Sequence, residues 1–303
     1  MIRTAFLGTP RPALPTLDLL AGLTDLRMVV TMPDRPKGRG KRLVMPEAKA
    51  RAVELGIPVY QPASPRELDA LLASVEIDVA VVVAYGMLVG ARTLTRPPAG
   101  MLNLHFSLLP RWRGAAPVER AILAGDPVTG VTLMQMEAGL DAGGVLASWP
   151  TAIGWNETAG QLTDRLALGA AELCGQRLEE AVAGTIRPEP QDGDLATYAS
   201  KVTGAEARLD FGLSSGELER TVRAFNPRPG AYAYWRGKRL KVHTGRVAPG
   251  DLDPGRLMVD RSGVRVGTAD GCVELLTVQP AGSRPMEAGA WLRGVRGDPG
   301  RFD

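Results

Sequence analysis

Asn103 and His105 stand two residues apart in the segment MLNLHFSLLP. On an extended strand, residues at i and i+2 project from the same face. An amide and an imidazole then look into one cleft. In open α/β sheets, ligands sit beyond the carboxyl ends of the strands, and His105 closes a run with strand character. A histidine there either serves the fold or exchanges a proton near neutral pH. Downstream, Asp141 lies in MEAGLDAGGVL, among Gly139, Gly143 and Gly144. Aspartate in a glycine-rich turn is ordinary turn chemistry. Beside a cleft histidine, it also orients the ring and balances its charge. Spacing leaves both readings of each residue open.

The elements that must position these groups are legible from hydrophobic periodicity. Ile2–Leu7, Leu26–Val30, Pro58–Tyr60, Asp78–Ala84, Met101–Leu104 and Gly130–Met134 read as strands. Helical spacing falls between them at Leu14–Leu20, Glu47–Leu55, Pro65–Leu72 and Pro117–Leu123. DVAVVVA at 78–84 is almost wholly apolar, as in a central strand covered on both faces. The alternation predicts an α/β fold with a Rossmann-like, open, mostly parallel sheet. Thr158 and Gln161 form a candidate capping box for a long helix that ends near Gly184. Residues 185–205, with Pro188, Pro190, Gly193 and Gly204, read as a linker. Ser214 and Glu217 offer a second capping box. Short β-type runs with turn signals follow from Lys238 and predict a small OB-like β-barrel. The expected domains are therefore 1–184 and 206–303, joined by 185–205. The turn Gly8-Thr9-Pro10 is not GxGxxG and reads as a tight strand-to-helix connection rather than a dinucleotide site.

Bulk properties narrow the class. The chain has 303 residues, 45% apolar and 23% charged, enough for two cores. The N-terminal MIRTAFLGTP lacks the apolar core of a signal peptide. The longest apolar run, Val79–Tyr85, is strand-length rather than membrane-length. Cys174 and Cys272 belong to no metal-ligand pattern and read as reduced thiols. A cytoplasmic enzyme without metal or membrane association is the expectation. Net charge is only +3, but its distribution is uneven. PDRPKGRGKRL at 33–43 carries five basic residues and one acid. It is either a solvated surface loop or an arm that contacts phosphates. Between Glu219 and Asp251 no acid occurs, while Arg220, Arg223, Arg228, Arg236, Lys238, Arg239, Lys241 and Arg246 do. Tyr232, Tyr234 and Trp235 are interleaved, either as barrel core or as part of an RNA-facing surface. His243 has no acidic neighbour in sequence and reads as structural.

NLHFSLLPRWRGAAP at 103–117 with GLDAG at 139–143 resembles the formyltransferase family that uses 10-formyltetrahydrofolate. FLGTP at 6–10, QP at 61–62, VVVAYG at 81–86, GVTLMQM at 130–136, AFNPRPGA at 224–231 and TVQPAG at 277–282 follow the same pattern in order. The basic loop and the C-terminal blocks are similar to the branch whose acceptor is the methionine amino group of initiator methionyl-tRNA. The resemblance implies that Asn103, His105 and Asp141 are catalytic. It implies that Ser107, Leu108, Leu109 and Pro110 contact the folate donor. It also implies that Arg35, Lys37, Arg39, Lys41 and Arg42 approach the tRNA acceptor end of a monomeric enzyme. Phe106 stands where the family has a small residue, Gly144 where an acid is common, and Arg228 where a tryptophan is common.

Formyl transfer is acyl transfer to an amine. Negative charge grows on the formyl oxygen, and a preorganised donor stabilises it. The implied roles are Asn103 as that donor, His105 as acid/base or electrostatic catalyst, and Asp141 as its partner. Two alternatives use the same scaffold: formylation of a small amine, and RNA binding without catalysis.

Overall fold

The computed structural model describes residues 1–37, 42–260, 263–293 and 297–303. The chain divides into two compact units. The first comprises Met1–Pro117, Val128–Ala152 and Thr163–Ala199; the second comprises Val118–Pro127, Ile153–Leu162 and Ser200–Asp303.

The first unit is built on a seven-stranded sheet. Its strands are β1 (Arg3–Gly8), β2 (Asp25–Val30), β3 (Val59–Tyr60), β4 (Val79–Val83), β5 (Met101–His105), β6 (Val128–Gln135) and β7 (Val145–Ala152). Their order is β7-β6-β5-β4-β1-β2-β3. The strands from β5 to β3 pair in parallel, whereas β6 and β7 run antiparallel at one edge. The sheet is thus mostly parallel, as the βα alternation predicts. Strand β7 carries no clear run of its own, because Ser148 and Pro150 interrupt it and lie exposed at the sheet edge.

All five residues of β4 are buried. Alternation splits the sheet core into two faces. Ala5, Leu7, Met28, Val30, Ala80, Val82 and Met101 form one cluster with Leu68 and Leu72. Phe6, Val29, Val81 and Val83 are buried on the other side. Leu68 and Leu72 come from the helix Pro65–Ser74, whose N-cap Ser64 accepts a hydrogen bond from the Glu67 N–H. Such a cap contributes about 1 kcal/mol. The helix Ala159–Ala183 begins at the Thr158–Gln161 capping box, where Thr158 N donates to Gln161 Oε1 at 3.0 Å. It stops at Gly184, whose φ of 69° suits a C-terminal cap.

The second unit holds a six-stranded antiparallel sheet containing Tyr232–Trp235, Lys238–Ala248, Leu257–Asp260, Gly263–Gly267, Cys272–Pro280 and Met286–Glu287. The helix Ser215–Ala224 starts with the expected Ser214–Glu217 capping box and buries Leu218 and Val222. These join Phe225, Leu240, Val266 and Val278 in a separate core.

Candidate active site

The candidate centre lies wholly in the first unit. Strand β5 is parallel to β4, so its carboxyl end opens at the edge where α/β folds bind ligands. Asn103 and His105 share one strand face. Asn103 is half-buried, and His105 is 6% exposed. Among the described residues, none hydrogen-bonds the side-chain amide of Asn103.

His105 is held at both ring nitrogens. Nε2 lies 2.9 Å from the carbonyl oxygen of Trp112. A carbonyl only accepts, so Nε2 carries the hydrogen in this bond. Nδ1 faces Asp141 Oδ2 at 3.6 Å, close enough for electrostatic contact and too long for a strong hydrogen bond. The three residues separated in sequence are therefore brought together as a strand pair and a loop aspartate.

Asp141 sits in the connection between antiparallel strands β6 and β7. It adopts the left-handed region, with φ 48°, which aspartate tolerates better than most side chains. Its Oδ2 accepts from the backbone N–H of Gly114 at 2.8 Å. Gly143 closes the turn against β6. A Cβ there would lie 1.9 Å from the Gln135 carbonyl oxygen, so no side chain fits without moving the loop.

The Ser107–Pro110 segment follows directly. Ser107 is fully buried, and its hydroxyl donates to the Arg111 carbonyl at 2.6 Å. Thr132, paired with His105 across the β5–β6 ladder, organises the rest. Its hydroxyl donates to Ser107 O at 2.7 Å and accepts from Leu109 N at 3.0 Å. Leu108 and Pro110 remain half-buried. The residues present fit a folate: a shaped backbone segment, adjacent to an amide and an imidazole.

Of the basic residues implied to meet tRNA, Arg35 is exposed on a short hairpin pairing Arg35–Lys37 with Arg42–Val44. Lys37 and Arg42 belong to this hairpin by backbone. Their side chains, and all of Arg39 and Lys41, lie outside the described residues. At its base, Lys49 Nζ donates to both Asp34 oxygens, at 2.9 and 2.8 Å, and to Gln61 Oε1 at 2.7 Å. This explains the PD and QP blocks. Among described residues, no group of His, Cys, Asp and Glu is arranged to hold a metal.

In the second unit, the basic stretch is less one-signed in space than in sequence. Arg223 pairs with Glu219 at 2.6 Å and Arg246 with Glu274 at 2.7 Å. The aromatic rings are covered by guanidinium groups: Arg239 lies 3.6 Å from the Tyr232 ring centre and Arg236 4.4 Å from that of Trp235. Trp235 also packs edge-on against Trp291 and donates to Pro299 O. It is part core and part cation support. His243 is hydrogen-bonded to Gln279 Oε1 at 2.9 Å.

Spacing did not reveal Arg113, Gln191 and Thr197, which contact the loops around His105 and Asp141. Their partners are mostly backbone carbonyls and amides, which have no signature in the side-chain sequence.

Comparison with known proteins bears on the family and the fold. The formyl transferase family model matches residues 18–177, and the formyl transferase C-terminal domain model matches residues 201–296. The chain is 46% identical to the methionyl-tRNA formyltransferase of Rhizorhabdus wittichii over 298 residues, covering 97% of this chain and 95% of that protein. Among solved structures, it is similar to the N-formyltransferase from Helicobacter canadensis in complex with folinic acid and dTDP-3-aminofucose. That match has TM-score 0.70 and 17% identity, and covers 91% of this chain and 99% of the other. It is also similar to HypX from Aquifex aeolicus in complex with tetrahydrofolic acid, at TM-score 0.66 and 20% identity. Here it covers 97% of this chain but spans only 48% of HypX. These two likenesses bear on the fold alone.

Proposed function

The chain belongs to the formyl transferase family, and on that premise we propose that it transfers the formyl group of 10-formyltetrahydrofolate to the methionine amino group of initiator methionyl-tRNA. One observation carries the mechanism: His105 presents Nδ1 to Asp141 while its Nε2 hydrogen is committed to the Trp112 carbonyl.

When bound, the folate supplies an activated formyl carbon beside the Ser107–Pro110 segment. The Asn103 amide donates to the formyl oxygen as negative charge develops there. The attacking amine must lose a proton. His105 takes it at Nδ1, because Nε2 is already protonated and occupied. The arriving proton then lies against the Asp141 carboxylate, which offsets the new positive charge, and His105 passes it to the departing folate nitrogen as the bond from that nitrogen to the formyl carbon breaks. No covalent intermediate with the protein is needed.

In this reading, residues 1–184 form the catalytic domain, 185–205 the connection and 206–303 the tRNA-binding domain. Arg35, Lys37, Arg39, Lys41 and Arg42 contact the acceptor end of the tRNA. The enzyme acts as a monomer in the cytoplasm. Two buried free thiols, Cys174 and Cys272, suit a reducing compartment. No described helix is long and apolar enough to cross a membrane.

The test is formyl incorporation from 10-formyltetrahydrofolate into charged initiator tRNA or, separately, into small amines. Transfer to the tRNA is expected to dominate. Efficient transfer only to small amines would reassign the acceptor, and no transfer to either would leave RNA binding without catalysis.

A further inference from the structure

The segment after the long helix holds both partners of His105. Gln191 bridges the aspartate loop: its Nε2 donates to Asp141 O at 2.9 Å and to Gly143 O at 2.7 Å. Its Oε1 accepts from Arg113 Nε at 2.9 Å, and Arg113 is itself only 8% exposed. Immediately beyond Arg113, Gly114 N donates to the Asp141 carboxylate. Six residues after Gln191, Thr197 Oγ1 accepts from Trp112 N at 2.9 Å, and Thr197 O accepts from Arg113 N at 2.8 Å. Trp112 provides the carbonyl that binds Nε2 of the histidine.

The segment is locked in place at both ends. Val145 and Glu189 exchange backbone hydrogen bonds at 2.7 and 2.8 Å, and Tyr198–Ala199 pairs with Arg113–Gly114. It also accounts for Gly144: a Cβ there would lie 2.5 Å from Pro188 Cβ, so a side chain would force this segment away.

We propose that residues 188–199 form a positioning strap, in which Gln191 sets the Asp141 side of the imidazole and Thr197 the Trp112 side, so that the His105 ring is fixed with Nδ1 beside the Asp141 carboxylate and Nε2 on the Trp112 carbonyl. The proposal rests on His105 and Asp141 being the catalytic pair. Gln191 and Thr197 touch neither substrate nor reacting atoms. They are positioning residues, and their loss lowers kcat without weakening binding.

Three substitutions in the full chain test it. Gln191→Glu keeps the size and the acceptor for Arg113 but replaces two N–H donors by a carboxylate facing two carbonyls. Thr197→Val removes the acceptor for Trp112 N at nearly constant shape, and Thr197→Ser restores it. Gln191→Glu and Thr197→Val are expected to lower kcat about tenfold or more, with both KM values within about twofold of the parent; Thr197→Ser recovers most of the rate. Because the chain has only two histidines, ring ¹⁵N spectra resolve them, and a His105→Gln variant assigns the signals. The His105 ring signals are expected to move in Gln191→Glu and Thr197→Val while those of His243 stay. An unchanged kcat, a rise in KM alone, or a slow variant with unmoved His105 signals would overturn the strap. Should Gln191→Glu lose its fold, Thr197→Val decides by the same criteria. The catalytic reading fails separately: it falls if His105→Gln transfers formyl at the parent rate.

Discussion

Asp141 Oδ2 accepts the Gly114 N–H at 2.8 Å and stands 3.6 Å from Nδ1 of His105. The carboxylate is anchored to the backbone first and faces the imidazole second. Asp141→Asn keeps the shape and an acceptor for Gly114 but removes the charge beside Nδ1. Single-turnover transfer is expected to slow by about 10²-fold or more, as for other positioned acid/base systems, with little change in stability. Asn103→Ala, which removes the proposed oxyanion donor, is expected to lose about 10²–10³-fold. Near-parental rates in Asn103→Ala, His105→Ala and Asp141→Asn together would discard the assignment.

Thr132 couples the sheet to the Ser107–Pro110 segment. Its buried hydroxyl serves Ser107 O and Leu109 N at once. Thr132→Val leaves both backbone groups unsatisfied at constant volume, costing about 1–3 kcal/mol. Denaturant titration checks the stability loss. A rise in KM for the folate, with KM for the tRNA unchanged, checks that the segment meets the donor.

The basic hairpin is predicted to contact phosphates. Arg35→Glu and Arg42→Glu should raise KM for the charged tRNA several-fold and leave hydrolysis of the folate donor alone. They should also reduce the slope of log KM against log salt by about one per lost contact. A KM for tRNA that ignores salt in the parent protein would remove the hairpin from the interface.

Acid should unpick a tie at the rim of the first unit. Asp69, in the helix Pro65–Ser74, accepts from Arg96 at 2.8 and 2.7 Å and from Thr93 at 3.2 Å. The Arg96 hydrogen bonds, with further help from its charge, hold the carboxyl down to about 2 from its usual 3.8. A value depressed by folding stabilises the native state above the unfolded value and is lost as pH falls through the folded one. Stability should therefore decline between about pH 4 and 2, and Asp69→Asn should flatten that decline. Thermal midpoints across this range measure it. An identical acid limb in the variant would show that other carboxylates set it.

Much of the fold was legible because its signals are local. The VAVVV run of 79–83, the capping boxes at Thr158 and Ser214, and the stop at Gly184 are short-range physics. They reappear as the central strand and the helix boundaries. Strand β7 and the pairing of Arg35–Lys37 with Arg42–Val44 were not legible. The first is a half-exposed edge without a continuous apolar run, and the second joins two three-residue strands too short to show a periodicity.

Asn103, His105 and Asp141 were legible as candidates in the chain itself, since residue type carries the available chemistry and the two-residue spacing of a strand places Asn103 and His105 on one face. Which nitrogen of His105 is free to take a proton was decided only in three dimensions. That choice depends on the Trp112 carbonyl and on a carboxylate thirty-six residues downstream. Both are placed by Gln191 and Thr197, through bonds to backbone groups that every residue possesses. Backbone donors and acceptors are the same at every position, so their use is a property of tertiary packing and not of the residue order that produces it.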